Sequence, residues 1–585
     1  MIRRLIRQML FAQIFSALTV SVCLLIDSVI IGRYLGVEAL SAYQLASPVL
    51  LVLAAFGSML AAGIQVACSK SLGKGSQEET NRGYSSAIVL GFGVAFSLML
   101  FVFLFRSFIA RASGAGSEGT LFTDTRDYMT AFVIGAPATM GALILVPFLQ
   151  IAGQSGILVA AVLAMTVTDI ALDLVNVFVV HGGMFGMGLA SAISYYCALI
   201  VGGWYFFTKK CVFKFSLKQV SFAKMREMLA GGLPSLINMA AGVVLVVVLN
   251  QILLGTGGAL AVAAFSVIST IGNSANCVST GINGVTLTLS GILYQEEDRT
   301  GLKVLIQTMA RSSVFLGIVV GAVLILCAPL FARFFITEDS PARDMAVTGI
   351  RLYSAGMIPI CLTAALKSSY QGMEKTRLTE LISVMEQLVF PAVGALILSR
   401  FLGTFGVWFY FVSGELLTLL MIAVLIRQRT KSAPWRDGAY LLLNDSFGVP
   451  ADQLMETDIA TLEDAVRVSQ EAEQFCLERG QSSRLSKRIA LCIEEMAANV
   501  IDHGFKKDDK PHRLSVRLLH KEDSWVIRFR DDCRAFDPVH YIPAEGKDAL
   551  GIRLTLAMAD EAQYTYSLSL NNLALRLPGE REEAS

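Results

Sequence analysis

Twelve apolar stretches, each about as long as a bilayer is thick, constrain this chain more than any other feature. A helix needs roughly 20 apolar residues to cross a hydrocarbon core of about 30 Å. Such stretches fall at 9–31, 44–69, 84–105, 128–150, 157–180, 187–207, 232–254, 261–290, 308–330, 349–370, 378–399 and 404–426. Charged residues make up only 16% of the chain and apolar residues 54%, where a soluble domain carries roughly 25% charged residues. An all-α polytopic membrane protein of twelve transmembrane helices is therefore expected over most of the length. The basic start, MIRRLIR, is followed by no clean small-residue cleavage site and by many similar apolar runs, so it reads as the opening of the first span rather than a signal peptide. A net charge of +1 lacks the basic excess that nucleic-acid partners call for, and no such partner is expected. The ten cysteines have neither disulfide-framework nor zinc spacing.

Lys and Arg in short loops set orientation, because basic loops stay on the cytoplasmic side. With the N-terminus inside, the inside loops hold Arg3, Arg4 and Arg7, then Lys70 and Arg82, then a long central loop with Lys214, Lys218, Lys224 and Arg226. The outside loops hold fewer basic residues and no Lys. Both termini are expected in the cytoplasm, with the chain in the inner (plasma) membrane. The membrane part also repeats itself: DSVIIGRYLG from Asp27 has a weak echo in NQILLGTGG from Asn250, and each begins five residues before a glycine, Gly32 and Gly255. Two six-helix lobes follow, 1–207 and 232–430, joined by an inter-lobe loop at 208–231. Repeated halves with the substrate site between them are a common transporter plan. After about residue 430 the composition changes. KSAPWRDG reads as part of a linker at 431–450, and 451–585 is long enough for one soluble domain. Its helical stretches at 461–479 and 483–503, strands at 513–519, 525–530, 563–570 and 573–577, and a helix near 550–560 predict an α/β sandwich.

Ionisable residues inside apolar helices are costly and mark function. Asp27 lies in the first span. Asp169 and Asp173 lie in the fifth, four residues apart and so on one helical face. A carboxylate in a low-dielectric cavity is expensive to keep ionised, so it takes up H⁺ or holds Na⁺ through oxygen ligands. Either event removes local negative charge and biases one of two packings of a transporter. Asn250 and Glu386 are candidates for lining a substrate cavity in the second half. Glu415 reads as structural, and Lys367 as a side chain that snorkels to the interface.

Several motifs then carry a resemblance. The run from Asp27 to Gly36, followed by ALSAYQLASP, resembles the first-helix signature of the multidrug and toxic-compound extrusion (MATE) transporters. SKSLGKGSQEE from Ser69 resembles that family's inside loop, and QGMEKT at 371–376 the matching loop of the second half. DIALDLVNVFVV from Asp169 and FGMGLASAIS from Phe185 resemble its fifth and sixth helices. The resemblance covers about 5–428. It implies a cation-coupling site of Asp27, Asp169, Asp173 and Ser191, driven by H⁺ or Na⁺, and export of a small organic, cationic or amphipathic substrate by antiport. Asp169 departs from the Asn that many members carry there, which adds a negative charge.

Three motifs mark the C-terminal domain. EEMAANVIDHG at 494–504 places Glu495 and Asn499 one helical turn apart; Mg²⁺ wants oxygen ligands, and the Asn carbonyl supplies one. DDCRAFDP at 531–538 follows a strand, where a carboxylate can accept a hydrogen bond from adenine. LGIRL at 550–554 opens a helix whose first amides can hold phosphate. In this order they resemble the GHKL ATPases, above all the anti-sigma-factor serine kinases, over about 455–580. The resemblance implies ATP with Mg²⁺ on Asn499, Glu495 as general base, Asp531 on adenine and Gly551 in the phosphate lid. Cys533 stands where the family has Gly, and Lys547, Asp548 and Ala549 stand where its lid carries more glycine. The expectation is thus a cation-coupled antiporter with a nucleotide-binding regulatory domain that also offers a surface to a regulatory protein. The rival readings are a membrane-anchored serine kinase or sensor, and a lipid-linked-saccharide flippase, whose cationic cavity the mostly acidic intramembrane charges do not supply. Direct ATP-driven export is not expected, since the membrane part has no Walker-type phosphate loop.

Overall fold

A computed structural model describes the chain apart from residues 1, 74–76, 209–210, 212, 337–340, 435, 437, 445–446, 508–510, 522–523, 542–549, 569 and 580–585. The first half runs through helices α1 (Ile2–Ile30), α2 (Val37–Gly73), α3 (Gln77–Ala112), α4 (Thr120–Ile134), α5 (Ala136–Ile151), α6 (Ser155–Val175) and α7 (Gly183–Gly203). The second half runs through α8 (Phe222–Ala275), α9 (Cys277–Gln295), α10 (Arg299–Phe335), α11 (Pro341–Ala355), α12 (Met357–Gly372), α13 (Thr376–Val384), α14 (Phe390–Leu402), α15 (Thr404–Trp408) and α16 (Tyr410–Thr430). Among the described residues, ten helical segments are long and apolar enough to cross a membrane alone. Two bent pairs, α4 with α5 (48°) and α11 with α12 (46°), bring the number to twelve if each pair is one span.

The breaks repeat between the halves. Gly36 (φ 98°) separates the first two spans, and Gly258 (φ 64°) breaks α8 between the seventh and eighth. Only glycine adopts this backbone freely. The two glycines stand 222 residues apart, while Asp27 and Asn250 stand 223 apart. A π-turn at Ile31–Leu35 lies between Asp27 and Gly36. A π-turn is one extra residue in a helix, which accounts for the change of register. The inter-lobe loop is shorter than its sequence implies, because α8 already begins at Phe222.

The lobes meet most closely at the end of the bundle that carries the C-terminal domain, here termed the domain side. A Cβ on Gly63 of α2 would lie 1.9 Å from the Met228 carbonyl oxygen of α8, and one on Gly232 1.9 Å from that of Met59. Lys70 closes the same end, reaching Glu374 (3.0 Å) and Glu227 (3.2 Å) of the second half.

The C-terminal domain is two-layered. A sheet of order β1-β2-β3-β5-β4, antiparallel throughout, is formed by β1 (Leu454–Ile459), β2 (Leu514–Lys521), β3 (Ser524–Asp531), β4 (Glu561–Ser567) and β5 (Leu570–Pro578). Helices α17 (Leu462–Leu477), α18 (Ser483–Asn499) and α19 (Leu550–Met558) cover one face over a core of Val516, Leu518, Ile527, Phe529, Leu573 and Leu575. Strand β1, absent from the sequence reading, is short and half-polar (LMETDI) and has no strong alternation. The linker is not free chain: Leu441 is buried, and Lys375 donates to the carbonyls of Leu441 (2.7 Å) and Leu442 (2.5 Å).

Backbone-to-backbone approach of this kind tolerates no side chain. Gly63→Val is expected to push the lobes apart and lower stability by about 1–3 kcal/mol or more, read as an earlier thermal unfolding in detergent. Gly93→Val, whose Cβ would meet nothing within 4 Å, should leave the transition where it is.

Candidate functional site

The first lobe assembles its carboxylates where three helices meet. Asp27 is on α1, Asp169 and Asp173 on α6, and Ser191 on α7, with α6 packed against both neighbours. All four are buried. Asp27 Oδ1, Asp169 Oδ1 and both oxygens of Asp173 are buried without a hydrogen-bond partner among the described residues. Cys23, one turn before Asp27, donates to Asp169 Oδ2 at 3.0 Å. Ligand atoms of Cys23, Asp27 and Asp169 all lie within 4.8 Å of one another. Buried polar groups are normally satisfied, so unmatched oxygens gathered in one place fit a proton or a cation with oxygen ligands. Ser191 is buried on α7, its carbonyl accepting from Ser194 Oγ (2.8 Å).

Asn176 fixes the end of α6. Its amide donates to the Gly183 carbonyl (3.0 Å) and its Oδ1 accepts from Gly182 N–H (3.0 Å), closing the turn into α7. A Cβ on Gly186 would lie 1.8 Å from that Oδ1. Neither Cys23 nor Asn176 was singled out from the sequence. The four-residue step from Cys23 to Asp27 was the legible signal for the first.

The second lobe treats charge differently. Lys367 of α12 is 7% exposed and does not snorkel. Its ammonium meets Glu386 Oε2 at 2.5 Å and Asn238 Oδ1 at 3.0 Å, because a buried ammonium needs acceptors that hydrocarbon cannot offer. Glu386 is thus committed to a partner. Glu415 on α16 is buried, and its Oε2, like the buried Asn250 Oδ1, has no hydrogen-bond partner among the described residues.

In the C-terminal domain, α18 ends at Asn499, whose amide nitrogen donates to the Glu495 carbonyl (2.7 Å). That bond uses the Asn499 side-chain nitrogen and not its side-chain oxygen. Gly551 opens α19 directly above. A Cβ there would lie 2.2 Å from Glu495 Oε2 and 3.2 Å from Asn499 Nδ2, so any larger residue would have to displace these side-chain ends. Asp531, at the end of β3, accepts from Cys533 N–H (3.0 Å) and Asn571 Nδ2 (2.7 Å). Burial pushes its carboxyl above the ordinary range, opposed by the Asn571 hydrogen bond. The Cys533 thiol packs against Gly504, where a Cβ would sit 2.9 Å away. Sequence reasoning missed Asn571, which a cross-strand pairing alone places beside Asp531. Lys547, Asp548 and Ala549 lie outside the described residues.

Four π-turns occur among the described residues: Ile31–Leu35, Asn176–Val180, Met385–Val389 and Val500–Gly504. Each follows or contains a residue singled out from sequence, namely Asp27, Asp173, Glu386 and Asn499. Such bulges are frequent at functional sites.

A family model, MatE, matches residues 12–175 and again 234–397, together more than half of the chain and repeated at the 222-residue offset of the two glycine breaks. The chain belongs to the MatE family. It is a multi-pass membrane protein of that family. A second model, the histidine kinase-like ATPase domain, matches 459–577. Solved structures similar to this chain include MATE in complex with MaL6 (19% identity, TM-score 0.69), covering 73% of this chain and 96% of that one. An outward-facing conformation of a multidrug resistance MATE family transporter of the MOP superfamily matches at 19% identity and TM-score 0.68, with the same coverages. So does a MOP superfamily transporter from Pyrococcus furiosus described as having a binding pocket of reverse polarity (19%, 0.68, again 73% and 96%). No curated protein matches the chain in sequence. The MATE fold and the fused ATPase-like domain expected from the motifs are thereby established.

Removing one partner of a buried ion pair leaves an uncompensated charge and costs about 3–5 kcal/mol, whereas replacing both by apolar groups is often neutral. Lys367→Met is therefore expected to destabilise the protein strongly and Lys367→Met with Glu386→Leu far less. Thermal unfolding of the purified protein checks both.

Proposed function

We propose that the protein is a cation-coupled antiporter that exports organic, cationic or amphipathic compounds, with H⁺ or Na⁺ as the coupling ion and a nucleotide-binding regulatory domain at its C-terminus. The observation that carries this reading is the cluster of Asp27, Asp169 and Asp173, buried with oxygens that have no hydrogen-bond partner among the described residues. Three carboxylates without a basic partner cannot all stay ionised in an apolar bundle. A proton or Na⁺ that enters neutralises part of the charge and favours the packing in which the cluster is sealed. When it leaves, the packing that admits a cationic cargo is favoured. Ser191, and the thiol of Cys23, orient the carboxylates. In the second lobe Lys367 already neutralises Glu386, so the exchangeable charge sits in the first. The basic loops support a cytoplasmic position for both termini, in an inner membrane. Lys70 and Lys375, both from such loops, lie on the domain side, which supports the reading of a cytoplasmic C-terminal domain.

For that domain the reading is Mg²⁺ and ATP held between α18, α19 and the end of β3. Asn499 would hold the ion, Gly551 the phosphates and Asp531 the adenine, with Glu495 as general base toward any partner hydroxyl. The fit of Gly551 over Glu495 and Asn499, and of the Cys533 thiol against Gly504, supports it. Bound Mg²⁺ supplies charge neutralisation on the phosphates.

Asp27→Asn and Asp173→Asn are expected to reduce gradient-driven efflux of a cationic dye panel to background while the protein still inserts. Imposing H⁺ and Na⁺ gradients separately identifies the ion, and normal efflux by either variant removes that residue from the coupling. Calorimetry on the purified protein should detect Mg-ATP, with Asn499→Ala weakening it about tenfold, the loss of one charge-assisted ligand. No heat with ATP or ADP at saturating concentration would end the nucleotide reading.

A further inference from the structure

A two-layer domain has one sheet face under its helices and another that ordinarily meets water. Here the second face is strongly basic. Arg517 and Lys521 of β2 and Arg528 and Arg530 of β3 point the same way, and Arg517 pairs directly across from Arg528. Like charges opposite each other on neighbouring strands destabilise a sheet; Glu456 of β1 answers Arg517 at 3.5 Å from within the domain, and the other basic residues call for further acids.

The membrane bundle provides one. The turn between α9 and α10 carries three consecutive acids, Glu296, Glu297 and Asp298. Arg530 grips both oxygens of Glu296 at 2.8 Å. Lys521 meets Glu297 at 2.8 Å, and Arg517 meets Asp298 at 2.6 Å. Glu296, Asp298 and Arg517 are all buried. Burial pushes the Glu296 carboxyl up, but the Arg530 and Arg528 guanidiniums outweigh it and hold the carboxyl below the ordinary range.

The same domain also touches the first lobe. At the tip of the β4–β5 hairpin, Leu568 (φ 57°) donates its backbone N–H to the Ile151 carbonyl at the end of α5 (2.6 Å). Leu568 and Leu570 are buried and share a gap with Leu5 of α1 and with Leu289, Ile292 and Leu293 of α9. One rigid domain thus holds the second lobe by ion pairs and the first by a hairpin tip, at the end where Lys70 and the glycine contacts close the bundle.

We propose that the C-terminal domain is a clamp that keeps the two lobes shut on the domain side. Alternating access requires the lobes to part there, and a body fixed to both must let one go. Three buried or charge-assisted pairs bind it to the second lobe, and Leu568 and Leu570 also reach α9 there; the hydrogen bond to Ile151 and the contact with Leu5 bind it to the first. The domain therefore rides on the second lobe, and release occurs at Leu568. This inference rests on the transport reading for its purpose but not for its test.

Hydrogen exchange on the full-length protein in nanodiscs reads the clamp without knowledge of cargo or nucleotide. The reporter is the domain-side end of α2, residues 62–72, which belongs to the lobe seam and to neither clamp contact. Arg530→Glu is expected to speed exchange there about tenfold, the shift expected when a charge-assisted pair is lost from a two-state equilibrium. Glu296→Arg combined with Arg530→Glu should restore protection. Leu568→Gly, which relieves the positive φ while removing the wedge, should open the seam with the ion pairs intact. Protection of α18 in each variant certifies that the domain remains folded. The inference is overturned if α2 stays protected in both Arg530→Glu and Leu568→Gly with α18 protected, or if the swapped pair fails to restore the seam. Loss of dye efflux by the wild type, with the exchange pattern as expected, would count against the transport reading alone.

Discussion

Inside hydrocarbon there is no water to satisfy a backbone amide, so each span must close its own hydrogen bonds as a helix. The rest of the architecture follows from that demand. Several breaks fall where glycine takes up the strain, at Gly36 and Gly258, or where a bent pair meets at Gly135 and Gly356. Within spans, three of the departures are π-turns, which shift one residue out of register and leave a helical groove for a side chain. In the membrane they adjoin Asp27, Asp173 and Glu386. Local irregularity is tolerated where a carboxylate has to be presented inside the bundle.

Two halves of one repeat manage buried charge in opposite ways. In the second lobe, Glu386 is neutralised within the protein by Lys367, with Asn238 completing the ammonium's shell. In the first, Asp27, Asp169 and Asp173 have no such partner among the described residues. A fixed internal counter-charge makes a structural pair; on the proposed reading its absence leaves the first-lobe site to a mobile cation. That asymmetry is laid over a symmetric scaffold.

The C-terminal domain turns its two sheet faces to different tasks, and the strands carry both. On β3, Arg530 faces the acidic turn of the bundle while Asp531, the next residue, faces the helices. On β5 their partners are Asn572, which holds Arg530 at 2.6 Å, and Asn571, which holds Asp531 at 2.7 Å. The helix-facing rung and the bundle-facing rung are therefore neighbours in one ladder, with Asn571 and Asn572 three to four residues from the hairpin tip at Leu568.

Much of this was written in the sequence. Span number, repeat, the basic loops and the site helices follow from local pattern, since a 20-residue apolar run has few other fates and a carboxylate within it is conspicuous. The order of Glu495, Asn499, Asp531 and Gly551 marked the second domain for the same reason: each motif is local. What the sequence left undecided depends on contacts between distant segments. Lys367 read as a snorkelling side chain, because nothing near it in the chain shows that Glu386 and Asn238 converge on it. Cys23 and Asn571 gain meaning only from Asp169 and Asp531 beside them. Strand β1 is too short and polar to stand out, and forms because β2 offers an edge to pair with. The acids at 296–298 and the arginines at 517, 528 and 530 look like solvated charge when read along the chain. Tertiary structure alone brings them together, because burying opposite charges is worthwhile only when both arrive at the same place with their hydrogen bonds complete.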